Sequence, residues 1–466
     1  MADAYPTTPV DVGRIATTYR TIRSAIPHPE SVPVIEALRQ AEPWCMEGQP
    51  PIVWERAEGT TVYDGYGNRW IDFTSGVLIT NAGHAPSSMV EAMVEVTESP
   101  LLTSYCFPHQ RRAELTTMLQ RCATRDDDKV MLLSTGSEAI ELAIKLCREH
   151  HRNSDRSARA VFVTFGNAFH GRTLGSQQAG GVQDLKQWIG YHDDHFVQVP
   201  FPDGVRSAPE DLRFDAFLRH LDEQGISAKE VCGVMTETYQ GGDSCFAPLD
   251  YMQALRQWCD EHGIVLVMDE VQAGFGRTGR FWGFEHYGIE ADLIVCGKGI
   301  SGSLPLSAVI GRQALMDQFP PGSMTSTHSG NPLCCAAAIA SLKVILEQNL
   351  AQRAATVGRI MQDAAHHIAE RFSDCILAHQ GRGMVASLLC VEPGSRQPDP
   401  KLAWEVVGRA VQTGVMLFAP VGYMGSSVKL SPPLTIDEAA LREGMEAVEE
   451  AFAHVLAQRG AVGVAP

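Results

Sequence analysis

The stretch Ile264-Val265-Leu266-Val267-Met268-Asp269-Glu270-Val271-Gln272-Ala273-Gly274-Phe275-Gly276-Arg277-Thr278-Gly279 decides how this chain folds. Its first five residues are an apolar, β-branched run that reads as a buried strand. Asp269 then lies at the carboxyl end of a strand, where open α/β sheets place their ligand sites. A second apolar run, Leu293-Ile294-Val295-Cys296, ends two residues before Lys298. Two neighbouring strand ends thus present one carboxylate and one amine to the same cleft. The glycines at 274, 276 and 279 match the G-x-G-x-x-G fingerprint, which needs a helix opening inside the glycine run. The next segment, Arg280-Phe281-Trp282-Gly283-Phe284-Glu285-His286-Tyr287-Gly288, is too rich in glycine and aromatics to be that helix. A nicotinamide enzyme is excluded on that ground.

Outward from this core, apolar runs alternate with helical windows between about residues 85 and 345. The runs fall at 130–133, 160–164, 231–235, 264–268, 293–296 and 308–310. Such alternation predicts an α/β fold, a mostly parallel sheet with helices on both faces. Residues 62–73 read as a hairpin with a glycine-rich turn. Residues 1–45 are proline-punctuated and read as an irregular, extended arm, a segment able either to wrap a partner subunit or to drape over its own chain's surface. From about 350 the pattern is a long helix, a strand at 384–389, another helix and a final helix over 437–458. The expected division is 1–84 as arm and part of a small α+β domain, 85–345 as the large domain, and 346–466 as the C-terminal small domain.

With 466 residues, 44% of them hydrophobic and 20% charged, the chain has the composition of a globular protein with a large core. A net charge of −17 without any lysine/arginine block argues against nucleic acid or an anionic membrane as partner. Twelve cysteines lack a CxxC pair, and Cys334-Cys335 are adjacent in an alanine-rich helical window. That suits reduced thiols in a cytoplasm better than a disulfide frame or a zinc site, so no metal is expected. No apolar run has the length of a membrane span, and the start, Met-Ala-Asp-Ala-Tyr-Pro, lacks the features of a signal peptide.

The carboxylate–amine pair has a chemical use. A lysine in a water-poor pocket loses its proton readily and forms a Schiff base with an aldehyde. Pyridoxal phosphate needs such a lysine, plus a carboxylate to hold its pyridine nitrogen protonated. With Asp269, Gln272 and Lys298 in this setting, the chain resembles the class III (omega) aminotransferases, fold type I pyridoxal-phosphate enzymes, from about residue 62 to 436. The resemblance implies a large domain whose mostly parallel sheet has seven strands between helices, plus a smaller α+β domain.

Other motifs take roles within that resemblance. Leu133-Ser134-Thr135-Gly136-Ser137-Glu138-Ala139 lies between a strand and a helix, where backbone amides and the helix's positive end attract an anion. Read alone it is equally a capping box with Ser134 or Ser137 as cap. The family pattern makes Gly136 and Ser137 a phosphate cup. In Asn167-Ala168-Phe169-His170-Gly171-Arg172-Thr173, Phe169 is implied to stack on the pyridine ring and Arg172 to grip a distal substrate carboxylate. Phe169 packed in the core is the plainer alternative. Gln272 is implied to hold the cofactor's phenolic oxygen, and Glu237, otherwise a surface glutamate, matches a further glutamate of the family. His170 and Val271 join the cofactor contacts, and Thr327 is implied to reach the phosphate of a neighbouring subunit in a homodimer.

The resemblance further implies ping-pong transfer from a primary amine to an oxo acid such as 2-oxoglutarate or pyruvate. Lys298 acts as base, and Asp269 protonates the ring. In the 4-aminobutyrate branch a glutamate follows the residue at Gly241, and a late arginine pairs with it. Here Gly242 and Lys429 stand in those places, and a lysine cannot reproduce a bidentate clamp. With Val77 as an apolar wall, the implied donor is an omega-amino acid, a diamine or an amino sugar. Racemases, a dialkylglycine decarboxylase and a catalytically dead scaffold protein are the rival readings.

Overall fold

Seven strands make the largest sheet, and six of them are the apolar runs of the sequence. In a computed structural model that describes residues 4–153 and 159–460, they are β1 (Asp128–Leu133), β2 (Val161–Phe165), β3 (Phe196–Val199), β4 (Val231–Glu237), β5 (Val265–Asp269), β6 (Leu293–Cys296) and β7 (Ser307–Arg312). Their order is β1-β7-β6-β5-β4-β2-β3. All run parallel except β7, which is antiparallel to both neighbours. β2, β4, β5 and β6 are buried at every position, because helices cover both faces of a parallel sheet. The helix Gly136–Asn153 supplies much of that cover. Its Leu142, Ala143, Leu146 and Cys147 pack in one apolar cluster with Phe162, Met235, Val267, Val295 and Val309. Full burial of a Val, Leu or Phe side chain contributes roughly 1.5–3 kcal/mol, so each of these residues is a substantial stabilising contact.

The chain divides into two compact units. One comprises Ser87–Gly241 and Cys245–Ala351 and contains the seven-stranded sheet. The other comprises the chain up to Pro86, the short insertion Gly242–Ser244, and the chain from Gln352. Within this second unit Ile376–Arg382, Val385–Cys390 and Ser427–Leu430 form an antiparallel three-stranded sheet. The 62–73 region is the hairpin of Thr61–Tyr63 with Arg69–Asp72, and Val415–Met416 pairs parallel to its second strand. Trp70 of the hairpin is fully buried and donates its indole N–H to Val411 O at 2.7 Å.

Two expectations need correction. The N-terminal segment is not irregular throughout: Val32–Ala41 is a helix. Pro33 sits in its first turn, where a missing N–H costs nothing and the fixed φ favours the helix. β3, at the sheet's edge, is absent from the periodicity pattern because its four residues are flanked by polar and proline-bearing chain. Of Cys334 and Cys335, only the second is buried; all twelve cysteines are free. No single helix among the described residues is long and apolar enough to cross a membrane.

Candidate active site

Five strands of the large sheet, β1, β2, β4, β5 and β6, end along one edge, and their last residues or the loops after them carry the predicted cofactor residues other than Thr327. β5 ends at Asp269, in register with Glu237 of β4 on one side and Val295 of β6 on the other. Asp269 is buried, and its two oxygens have separate partners: Oδ2 with His170 Nδ1 at 2.7 Å, and Oδ1 with the Val271 N–H at 3.0 Å. His170 sits on the loop after β2 and is buried. Burial alone would lower its pKa, but the hydrogen bond and charge of Asp269, with help from Glu237, outweigh it and raise the value. His170 Nε2 has no hydrogen-bond partner among the described residues. Sequence reasoning named His170 only as a contact; the pairing across 99 residues carries no local signal.

Glu237 is buried, so the surface reading of it fails. Its Oε2 accepts the Phe169 N–H at 3.1 Å and its Oε1 the Gly241 N–H at 2.9 Å. Burial pushes this carboxyl up to about 7; the charge of Asp269 adds to the rise, while His170 and the two N–H groups oppose it.

Lys298 follows the end of β6 with φ of 45°, in the left-handed region that few residues other than glycine adopt. It is partly buried, and its amine makes no hydrogen bond or ion pair among the described residues. Burial lowers its pKa, offset in part by the charges of Asp269 and Glu237. A lysine whose hold on its proton is weakened in this way can serve as a nucleophile and a base.

The loop after β1 opens the helix Gly136–Asn153. Thr135, not Ser134 or Ser137, caps it: Thr135 Oγ1 accepts the Glu138 N–H at 3.2 Å, and Glu138 Oε2 accepts the N–H groups of Ser134 and Thr135 at 2.8 and 3.1 Å. Ser137, inside the helix, instead accepts the Arg172 N–H at 3.1 Å. A Cβ on Gly136 would lie 3.2 Å from Val271, so glycine keeps this helix start close to the β5 loop. The Gln272 amide oxygen accepts from the Tyr239 hydroxyl at 3.2 Å, and its nitrogen packs over Gly241, where a Cβ would stand 2.6 Å away. Phe169 is 37% exposed, which overturns the core-packing alternative, and the Arg172 guanidinium lies 5.5 Å from its ring centre. Thr327 is exposed, and its hydroxyl makes no hydrogen bond among the described residues.

The second unit holds Val77, Gly242 and Lys429. Val77 is exposed on a left-handed turn. Gly242 is pressed against Gly422, whose Cα would be 2.7 Å from an added Cβ. Lys429 is buried in the strand Ser427–Leu430, opposite Ser387.

Taken as a test for pyridoxal phosphate, these residues fit. An anion has the N-terminal end of the helix at Gly136 with no side chain in the way, an aldehyde has an unpaired amine, and a pyridinium has a buried carboxylate held by two donors. Comparison with known proteins agrees. The family model for aminotransferase class-III matches residues 45–452. The 4-aminobutyrate aminotransferase of Escherichia coli is 32% identical over 409 residues, covering 86% of this chain and 93% of that protein. The 5-aminovalerate aminotransferase of Pseudomonas putida is 31% identical, covering 87% and 94%. Among solved structures, an amine transaminase from an uncultivated Pseudomonas species in its PLP-bound form shares 29% identity with a TM-score of 0.80, covering 86% of this chain and 94% of that one. An ornithine aminotransferase from Toxoplasma gondii shares 26% with a TM-score of 0.81, covering 92% and 96%. A family match over most of the chain, on a sheet whose edge carries a buried acid and an unpaired lysine, leads to one conclusion: this chain belongs to the class III aminotransferases, pyridoxal-phosphate enzymes of fold type I that move amino groups.

Proposed function

We propose that this aminotransferase takes its amino group from a primary amine on a carbon chain, an omega-amino acid, a diamine or an amino sugar, and delivers it to an oxo acid. The unpaired, partly buried amine of Lys298 beside Asp269 carries the chemistry of this reading. Pyridoxal phosphate, when bound, supplies an aldehyde carbon for the amine and a ring that takes up the electron pair left as a C–H bond breaks.

The protein's residues do the rest. Lys298 Nζ, whose pKa burial lowers, removes the proton from the donor's carbon and later returns it. Asp269 holds a proton on the ring nitrogen, and His170 and the Val271 N–H hold Asp269 in place. Gly136, Ser137 and the helix start receive the phosphate, Phe169 covers one ring face, and Gln272 takes the phenolic oxygen. Glu237 fixes the Phe169 and Gly241 backbone from behind. Arg172 receives a distal carboxylate, with Val77, Gly242 and Lys429 as further substrate contacts. The donor's breadth follows from Gly242 and Lys429, which replace the glutamate and arginine of the 4-aminobutyrate branch.

The enzyme works as a homodimer, with Thr327 of a second copy completing the phosphate site. Supporting this, Leu101, Leu102, Tyr105 and Phe107 are all exposed, Phe107 by 74%, in a loop tied to the Thr327 segment. The ties are Tyr105 to Thr325 at 3.0 Å and Asn331 to Leu102 O at 2.8 Å. An apolar patch of this kind marks an interface. Twelve free cysteines suit a reducing compartment, the cytoplasm.

A panel of amines added to the pyridoxal form, followed by absorbance, tests the donor. Conversion to the pyridoxamine form by diamines or amino sugars is expected, and an enzyme that responds to 4-aminobutyrate alone contradicts the reading. The Lys298→Ala protein should lose the borohydride-trapped cofactor adduct and at least a hundredfold in rate, roughly the contribution of a positioned base.

A further inference from the structure

Two side chains of one helix clamp the turn that carries Arg172. Ser137 and Glu141 are four residues apart on Gly136–Asn153, and so share a face. Ser137 Oγ accepts the Arg172 N–H. One oxygen of Glu141, Oε1, accepts three donors from the same turn: the Thr173 hydroxyl at 2.6 Å, the Gly175 N–H at 2.9 Å and the Ser176 N–H at 3.1 Å. Two glycines make the fit possible. A Cβ on Gly171, where φ is 128°, would stand 2.3 Å from Ser137 Oγ, and one on Gly175 would stand 2.3 Å from Glu141 Oε2. Within the turn, Thr173 and Ser176 close a capping box for the helix Leu174–Ala179.

Hydrogen bonds to an ionised acceptor are the strong ones, and three on one oxygen fix both direction and register. Arg172 itself is exposed and rests near the Phe169 ring. So long a side chain is aimed by its backbone, and this backbone is set from Ser137 and Glu141. We propose that Glu141, acting with Ser137, is a positioning residue for Arg172, and through it determines how strongly substrates with a distal carboxylate are preferred over those without. The proposal rests on Arg172 being the distal-carboxylate contact.

Steady-state kinetics of the holoenzyme with 2-oxoglutarate, which has a distal carboxylate, and pyruvate, which lacks one, test it. Glu141→Ala is expected to raise KM for 2-oxoglutarate about tenfold, the scale of a small misplacement of a positioning group. KM for pyruvate, kcat and the absorbance of the bound cofactor should stay within about twofold of wild type. Glu141→Gln keeps an accepting oxygen and should recover most of the loss. Thr173→Val removes only the hydroxyl donor, and should shift the same ratio by about threefold if Glu141→Ala folds poorly. A Glu141→Ala enzyme in which both KM values rise together, or neither does, overturns the positioning role. Arg172→Ala separates the two levels. If it abolishes the preference while Glu141→Ala and Thr173→Val leave it intact, the clamp is irrelevant and the reading of Arg172 stands. If Arg172→Ala leaves the preference unchanged, the reading of Arg172 fails and the clamp proposal with it.

Discussion

Val77 sits in a run of four left-handed residues: Ser75, Gly76, Val77 and Leu78 have φ of 48°, 56°, 64° and 62°. Left-handed helical geometry costs roughly 1–2 kcal/mol per L-residue, and a β-branched side chain suits it least. The turn is held from outside. Thr74 Oγ1 accepts the Gly76 N–H at 2.9 Å, Asp72 accepts the Thr74 N–H and hydroxyl at 2.7 and 2.6 Å, and Ser75 Oγ donates to Ser431 O at 2.6 Å. His84 braces Asp72 from the far side at 2.7 Å. Val77 is 45% exposed, so burial returns little of the cost. Val77→Gly should therefore stabilise the protein by about 0.5–1 kcal/mol, the relief being reduced because glycine also loosens the unfolded chain. A thermal scan reads this as a raised Tm, and a lowered Tm would show that the turn is unstrained.

Between residue and domain, the element that matters most is the loop after β5. Its glycines, three of which mimic a dinucleotide fingerprint, serve close packing or a positive φ. A Cβ on Gly274 would stand 2.9 Å from Glu270 O and 3.0 Å from Trp282, and one on Gly283 would stand 2.8 Å from Thr238. Gly276 and Gly279 have φ of 92° and 94°. Glu270, fully buried, organises the loop by accepting the N–H groups of Gly283 at 2.6 Å and Phe284 at 3.1 Å, together with the Thr238 hydroxyl. Leaving those three donors unpaired in a dry interior is expected to cost on the order of 3 kcal/mol or more. Glu270→Ala should lower the urea midpoint accordingly. A midpoint within error of wild type would mean that the loop holds its shape without the carboxylate.

For the whole molecule, the buried acids set a pH dependence of stability. Burial pushes both Glu237 and Glu270 up to about 7, so the folded state binds protons that the unfolded chain releases above the ordinary carboxylate range. Stability from these groups is therefore complete at low pH and declines as pH rises through about 7, by on the order of 3 kcal/mol per group. Glu237→Gln cannot ionise and escapes its share of the decline. Urea unfolding of both proteins at pH 5 and pH 8 should show the difference in stability moving in the variant's favour at the higher pH. A difference that does not move contradicts the assignment.

Much of this protein is legible without coordinates because its decisive signals are local. Apolar runs give six of the seven strands, and an acid or a glycine-flanked lysine just past such a run gives Asp269 and Lys298. Neighbours in the chain suffice for those inferences, since strand burial depends on a few consecutive side chains. The tertiary structure alone decided what touches them. It joined His170 to Asp269, set Glu237 beside it in the adjacent strand, and moved the helix cap from the serines to Thr135. It also aimed Glu141 at the turn below Arg172 and locked Gly242 against Gly422. Most of these contacts span tens of residues or more, where propensity and periodicity carry no information and only the packing of covered faces determines which groups meet.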